Sequence, residues 1–542
     1  MAKPAAHTKR ERMMAAQFHL ADLFEIVAGA VGDRIAILHD GGAVSYAGLN
    51  ARADRLATAL ADRGIGRGDT VGLYLMNGPE YLEGFLAAMK CGAVPFNINY
   101  RYRAEELRYL LDNADAAAVI HGAEFTPVLR AIRGDLPKLK VAVAVEDGSG
   151  EDIAGSEGYD DLLRTAPRTG FARSEDDIVL IYTGGTTGMP KGVMWPHKAF
   201  LFGCLGGGGH FHPAGPIAAP EDIAIRAREG HPLRFMPVAP LMHGAATWGS
   251  WSALLGGLTL VLDPVRHFDP EAIWDKVERE QVNIIAIVGD AMAVPLRDAL
   301  YAHPDRWNLR HVVNFGSGGA VFSAHVKADI KAKLPPHASI TDGMGSSETG
   351  ISGMAEASRD GVMRLPANED QQVVLDDRFA VAGETGLIAR SGHTPVGYYG
   401  DPAKTAETFR TIGGRLWAVS GDSGTFDADG KITMLGRGST CINTGGEKVF
   451  PEEVETALRT HPAILDAVVA GQKDARWGER VVGIVSRRDG VAQPSFEEVS
   501  AHLKRQLAGY KVPKALVWVD AVKRSPAGKQ DYRWAKELAG TA

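Results

Sequence analysis

With 542 residues, 45% of them hydrophobic and 23% charged, the chain has the composition of a globular protein of several domains, at roughly 100–200 residues per domain. A formal net charge of −7 gives no global attraction for nucleic acid, and none is expected as a partner. The three cysteines, Cys91, Cys204 and Cys441, form no zinc or disulfide pattern, which points to a reducing cytoplasm.

The N-terminal stretch starts with positive charges but has no clean apolar core, since Asp22 and Glu25 interrupt it where a signal peptide needs one. Residues 68–77 (GDTVGLYLMN) then read as a buried strand and 79–92 (PEYLEGFLAAMKCG) as a helix ending at Gly92. AVPFNINY is extended, RAEELRYLLDNAD helical and AAAVIHG a strand again. Strands separated by helices of this length predict right-handed crossovers and a largely parallel sheet. A second such series runs from about 230 to 345, with TLVLD, VNIIAIVG and LRHVVNFGS as its strands. The uncharged segment 244–262 is long enough to span a bilayer, but its four glycines and hydroxyl residues make it a core helix and strand divided at Gly256-Gly257, so no transmembrane segment is expected. The glycine run 206–209 reads as a mobile loop.

Residues 380–436 are rich in Gly, turns and short strands and predict a small β subdomain. The last hundred residues look separate. Pro451 and two following acids open one helix, while Ser495 and Glu498 form a capping box for another. Strands are expected at AILDAVVAG, ERVVGIVSRRD and KALVWVD. The fold class is therefore α/β: an N-terminal domain over 1–436 of parallel-sheet αβ subdomains plus the small β subdomain, a boundary at 437–440, and an α+β C-terminal domain over 441–542.

The sharpest local signal is DIVLIYTGGTTGMPKGVMW, residues 177–195. An apolar strand enters a loop of glycines and hydroxyls, then a helix. Glycine lets backbone N–H groups approach a phosphate, Thr183, Thr186 and Thr187 are donors, and Lys191 adds a positive charge. A Walker A loop needs Gly before the lysine and Ser or Thr after it; Pro190 and Gly192 stand there instead.

This segment resembles the phosphate loop of the superfamily of acyl-CoA synthetases, peptide-synthetase adenylation domains and luciferases, with Gly184 and Gly185 among its glycines. Further matches follow in the family's order, from Ser45-Tyr46 to Lys529. PLMHGAATWG (240–249) resembles the motif whose histidine, here His243, borders the acyl pocket; a lone histidine is otherwise more often a packed core residue. GSGGAV (316–321) and DGMGSSETG (342–350) resemble the adenine wall and the acid-bearing loop. The resemblance implies adenine contacts at Gly318, Gly319, Ala320, Asp342, Gly343 and Met344, a phosphate contact at Ser347, and Mg²⁺ held by Glu348. Met344 stands where relatives commonly carry an aromatic residue. LWAVSGDSGTFDADGKITMLGRGSTCINTGGEKVFPEEVE (416–455) resembles the ribose and hinge region, which gives Asp422 the ribose hydroxyls and Arg437 a place at the domain junction. Ser439 replaces the usual hinge Asp or Lys. Gly445 and Gly446 match the loop that meets the thiol acceptor, and RSPAGKQDYR (524–533) carries Lys529, the adenylation lysine.

The resemblance thus implies an ATP- and Mg²⁺-dependent ligase that makes an acyl-adenylate, helped by Lys529, Thr187, His243 and Glu348, and passes the acyl group to coenzyme A. The small C-terminal domain is expected to be mobile about the hinge. No carrier domain follows Lys529, which favours coenzyme A over a carrier protein or another acceptor. A non-catalytic nucleotide-binding sensor on the same fold is the remaining alternative. Small residues in the pocket segments, with no charged residue among them, suit a medium- or long-chain fatty acid or a bulky steroid side-chain acid. A homodimer is the default assembly.

Overall fold

The computed structural model describes residues 17–542 except 184–189, 265–266, 321, 357–362, 438–439, 445–446, 475–477, 508 and 525–529. Two eight-stranded sheets form the larger part. In the first, Thr70–Tyr74 lies parallel to Val94–Asn97 on one side and Ala116–Gly122 on the other, and the order continues through Ile178–Thr183 to Lys191–Pro196 and Gly397–Tyr398 at one edge. The second has parallel central strands Thr259–Val261, Arg234–Pro237, Ile284–Ile287, Asn314–Gly318 and Ser339–Ser346. It ends in an antiparallel strand at each edge, Gly350–Glu356 and Gly42–Ser45.

Side-chain alternation along the strands explains the layering. Val179 and Ile181 point into a core shared by both sheets, while Leu180 and Tyr182 join a second core on the outer face. On the other sheet Leu260 faces the shared core and Val261 the opposite side. A period of two on strands buried on both faces needs helices on both sides. The shared core accordingly holds residues of the helices Leu20–Val31, Tyr46–Asp62, Pro79–Lys90 and Gly244–Leu255. The last of these, with the strand Thr259–Val261, accounts for the uncharged segment 244–262 as packed core. No helix among the described residues is long and apolar enough to cross a membrane.

The small β subdomain is a seven-stranded antiparallel sheet. It begins earlier than its composition suggests, at Arg364–Pro366, and ends at Lys431–Arg437. Beyond it the C-terminal domain carries five strands among the described residues, with Ile464–Asp474 and Gly478–Arg487 forming a long hairpin that packs the helices Pro451–Arg459 and Phe496–Leu503 on one face and Tyr532–Ala539 on the other. The capping box at Ser495 and Glu498 is formed.

Two expectations are corrected. The glycine-rich segment leads into a strand, Lys191–Pro196, and the helix starts only at His197. Val193 and Trp195 supply β-forming side chains that are fully buried, and Thr183 pairs with Lys191 across an antiparallel hairpin. The run 206–209 is not a loose loop. Gly206, Gly207 and Gly208 all have positive φ, and a Cβ on Gly207 would strike Phe202 and Pro216 at 2.7 and 2.8 Å. Glycine is needed there for a tight packed turn.

Candidate active site

In open α/β sheets ligands bind beyond the carboxyl ends of the strands. Several of the residues singled out in the sequence stand at or near that end. Thr183 ends its strand; Gly318 ends Asn314–Gly318; Gly343 and Met344 lie within the next strand, Ser339–Ser346, and Ser347 follows its end. Gly318 and Gly343 are register partners, and a Cβ on Gly318 would meet only the Gly343 carbonyl, at 3.4 Å. Gly319 has φ +85° and open space around it, and Ala320 rests against the shared core. His243 is the N-terminal flanking residue of the helix Gly244–Leu255, half-buried, with extended backbone.

Four residues that the sequence did not single out tie these loops together. The Trp195 indole N–H donates to the Ser347 carbonyl at 2.9 Å, joining the phosphate-loop hairpin to the acid-bearing loop. The Tyr398 hydroxyl donates to Glu348 Oε1 at 2.9 Å. Three residues on, Asp401 pairs with Lys191 through Oδ2 and accepts the Lys404 N–H at 2.9 Å as the cap of the helix Pro402–Thr408. Thus one short segment, Gly397 to Asp401, contacts both Lys191 and Glu348. The fourth is Asn97, whose amide bonds Tyr182 and Met242. Asp401 was readable as a helix cap from its Asp-Pro pair. Its partner lies 210 residues away, which no local pattern reveals.

Charge follows contact. The Lys191 ammonium beside it holds the Asp401 carboxyl below the usual carboxylate range. Burial pushes the Tyr398 hydroxyl up, and the neighbouring Glu348 carboxylate adds to the effect. Asp342 is buried; desolvation raises it although Lys327 Nζ sits 2.6 Å away. Met344 is 8% exposed and packs in the cluster of Leu365, Val373, Ile388 and Ile432, so its thioether belongs to the contact between the second sheet and the β subdomain.

Asp422 and Arg437 lie on neighbouring strands of the β subdomain as direct register partners, and Asp422 is buried. The Arg437 side chain is outside the described residues, as are Gly184, Gly185, Thr186, Thr187, Ser439, Gly445, Gly446 and Lys529. Among the described residues no group of three or more His, Cys, Asp or Glu is arranged to hold a metal ion. A single carboxylate such as Glu348 still suits Mg²⁺, which keeps several waters and takes further oxygens from substrate phosphates.

The profile of the family described as AMP-binding enzyme matches residues 24–399, and that of the AMP-binding enzyme C-terminal domain matches 453–529. The chain is 42% identical over 534 residues to a medium/long-chain-fatty-acid–CoA/3-oxocholest-4-en-26-oate–CoA ligase of Mycolicibacterium smegmatis, covering 96% of both chains. It is 41% identical over 537 residues to the 3-oxocholest-4-en-26-oate–CoA ligase of Rhodococcus rhodochrous, again 96% of each. Among solved structures, the anthranilate CoA ligase AuaEII in complex with anthranoyl-AMP superposes with a TM-score of 0.83 at 24% identity, covering 98% of this chain and 99% of that one. ATP-bound MatB from Rhodopseudomonas palustris gives 0.79 at 25% identity, over 95% and 99%.

Proposed function

Because the chain belongs to the AMP-binding enzyme family, we propose that it activates a carboxylic acid with ATP as an acyl-adenylate and passes the acyl group to coenzyme A. The observation that carries the reading is that one segment, Gly397 to Asp401, bonds both Lys191, paired with the last residue of Ile178–Thr183, and Glu348, just past the end of Ser339–Ser346. A fatty acid of medium or long chain, or a steroid side-chain acid, is the substrate class, on the strength of relatives 41–42% identical over nearly the whole chain.

A carboxylate is a poor electrophile because its leaving group would be oxide. Its oxygen attacks the α-phosphorus of ATP, the bond to the bridging oxygen breaks, and pyrophosphate leaves. This step needs positioning and charge neutralisation more than proton transfer. Lys191 and the 183–187 segment, with Gly184, Gly185, Thr186 and Thr187, take the phosphates; Ser347 adds a hydroxyl. Gly318, Gly319, Ala320, Asp342, Gly343 and Met344 form the adenine wall, Met344 through its backbone, since its thioether packs against the β subdomain. Asp422 takes the ribose hydroxyls, with Arg437 beside it. Glu348 holds Mg²⁺, which supplies further charge neutralisation when bound. Lys529 bridges the carboxylate and the α-phosphate. The thiol sulfur of coenzyme A then attacks the acyl carbonyl carbon past Gly445 and Gly446, with His243 at the acyl pocket, and AMP departs.

The two steps need different neighbours at one place. The reading assigns residues 1–436 to the nucleotide and acid, a hinge to 437–440, and a domain at 441–542 that rotates to exchange Lys529 for the thiol. Support comes from the chain's path: the strand Lys431–Arg437 closes the β subdomain and Ile442–Thr444 opens the C-terminal sheet. A cytoplasmic location and a homodimer complete the reading; the three cysteines stand as free thiols.

The test is coenzyme A–dependent AMP formation from ATP and Mg²⁺ across acetate, octanoate, palmitate, benzoate and a steroid side-chain acid. Acyl-CoA from palmitate or the steroid acid supports the reading. Pyrophosphate exchange without acyl-CoA assigns another acceptor, and ATP binding without turnover a sensor. Lys529→Ala should cut adenylation roughly a hundredfold or more while sparing thioesterification of supplied acyl-adenylate. Equal loss in both half-reactions would sink the division of labour.

A further inference from the structure

The parallel ladder between Val94–Asn97 and Ile178–Thr183 has a single register pair, Phe96 with Leu180. Beyond it the Asn97 side chain takes over the pairing. Its Oδ1 accepts the Tyr182 N–H at 2.8 Å and its Nδ2 donates to the Tyr182 carbonyl at 2.9 Å, as a neighbouring peptide group would. The second Nδ2 hydrogen crosses to the other sheet and is donated to the Met242 carbonyl at 2.8 Å. Tyr182 immediately precedes Thr183, and Met242 immediately precedes His243. Three of the four hydrogen-bonding capacities of one amide are therefore spent on the backbone at the roots of two loops.

The surroundings reinforce this geometry. Asn77, three residues past the adjoining strand Thr70–Tyr74, accepts the Leu241 N–H at 2.7 Å, and the Tyr100 N–H reaches Met242 Sδ at 3.3 Å. The Tyr182 hydroxyl donates to Asn113 at 2.8 Å, so its ring cannot swing away cheaply. The segment 239–242 is thus held from the first sheet although it leaves a strand of the second.

We propose that Asn97 is a positioning residue that sets the phosphate-loop root and the His243 segment in one register, so that ATP and the acid meet at the right separation. The role rests on the adenylation reading above. No other residue type offers the same three bonds at that length. Aspartate keeps the shape but turns an oxygen toward two carbonyls, and alanine removes all three bonds.

The test is N97D in the full chain, followed by amide hydrogen exchange and by pyrophosphate exchange at saturating acid. Exchange should quicken together in the peptides covering 179–183 and 239–245. The kcat for adenylation should fall about ten- to a hundredfold, as for a misplacement near 1 Å, with the KM for ATP within about threefold of wild type. If N97D does not fold, N97S keeps a donor and serves the same measurements. Unchanged exchange in either peptide overturns the clamp. A kcat loss that vanishes well below the melting temperature, or that is matched in KM, overturns the positioning role in favour of plain stabilisation. A wild-type protein that makes no acyl-adenylate overturns the function and the catalytic part of this role together, while the exchange result still decides the clamp.

Discussion

In the C-terminal domain the Arg459 side chain is 3% exposed and lies between Glu455, fully buried, at 3.5 Å and Asp466 at 3.1 Å, whereas Lys191 meets Asp401 with 43% and 29% of their side chains in solvent. Every acid in the buried set has further partners. Glu455 accepts the Val469 N–H at 2.9 Å and Gln530 Nε2 at 3.2 Å, and Asp466 receives Arg524 at 2.7 Å. Lys191 and Asp401 have room for something else to arrive. Breaking a buried pair leaves a charge with no water to take it, while an exposed pair costs little to separate. The first arrangement is built for the fold; on the proposed function the second is open to a ligand, so Lys191 should answer for activity without answering for stability.

The largest effect tests this directly. Arg459→Met should destabilise the C-terminal domain by about 3–5 kcal/mol, because Glu455 is left fully buried without its cation, while Asp466 keeps Arg524. Lys191→Met should change stability by no more than about 0.5 kcal/mol. Urea unfolding of both variants measures the contrast, and similar losses would erase it. The two flanks of the Lys529 segment, Arg524 and Gln530, are both bonded to this buried set, so the Arg459 variant should also lose adenylation.

A second buried pair sharpens the point without opposite charges. His19 and His197 stack at 3.8 Å, both fully buried, each accepting a backbone N–H at Nδ1. Burial holds the His197 imidazole down to about 3, with Arg173 adding to it, and lowers His19 in the same way with His197 and Arg173 nearby. Unfolded imidazole titrates near ~6.5, so below that pH the unfolded chain binds protons that the folded chain refuses. The contribution of the pair is fully present above about 6.5, shrinks as pH falls, and is gone near the folded value. His197→Asn keeps an acceptor for the Leu20 N–H. It should flatten the acid limb of the stability curve by on the order of 3 kcal/mol, while costing about 1–2 kcal/mol at pH 7.5. An unchanged acid limb would show that other groups control it.

What the sequence disclosed follows the range of each interaction. Several strands and helices of the large sheets and of the C-terminal domain were legible because period and capping are local: Pro79 and Gly92, and Ser495 and Glu498, mark the boundaries of their own helices. The strand Lys191–Pro196 was missed, and a helix expected in its place, because KGVMW is short and its strand character depends on pairing with 178–183 and burial of Trp195. The β subdomain was placed late because its first strand, Arg364–Pro366, is three residues long and pairs with Lys431–Arg437, far along the chain. Thr183, Lys191, Glu348 and Asp422 were singled out through motif order. Asn97, Tyr398 and Asp401 were not, since each acts through a partner 50 to 210 residues away.

The smallest effect probes the exposed pair from its acidic side. Asp401 is held low by Lys191, and on the proposed function a phosphate would have to displace it from that lysine. Asp401→Asn retains the cap on the Lys404 N–H and removes the competing charge. The KM for ATP should fall by about two- to fivefold, more at low ionic strength than at high, because the competition is between screened charges. Melting temperature should stay close to wild type, since an Asn cap costs a few tenths of a kcal/mol at most. A weaker ATP interaction in this variant would mean that Asp401 orients Lys191 for the phosphates and does not compete with them, and the exposed pair would then belong, like the buried one, to the architecture.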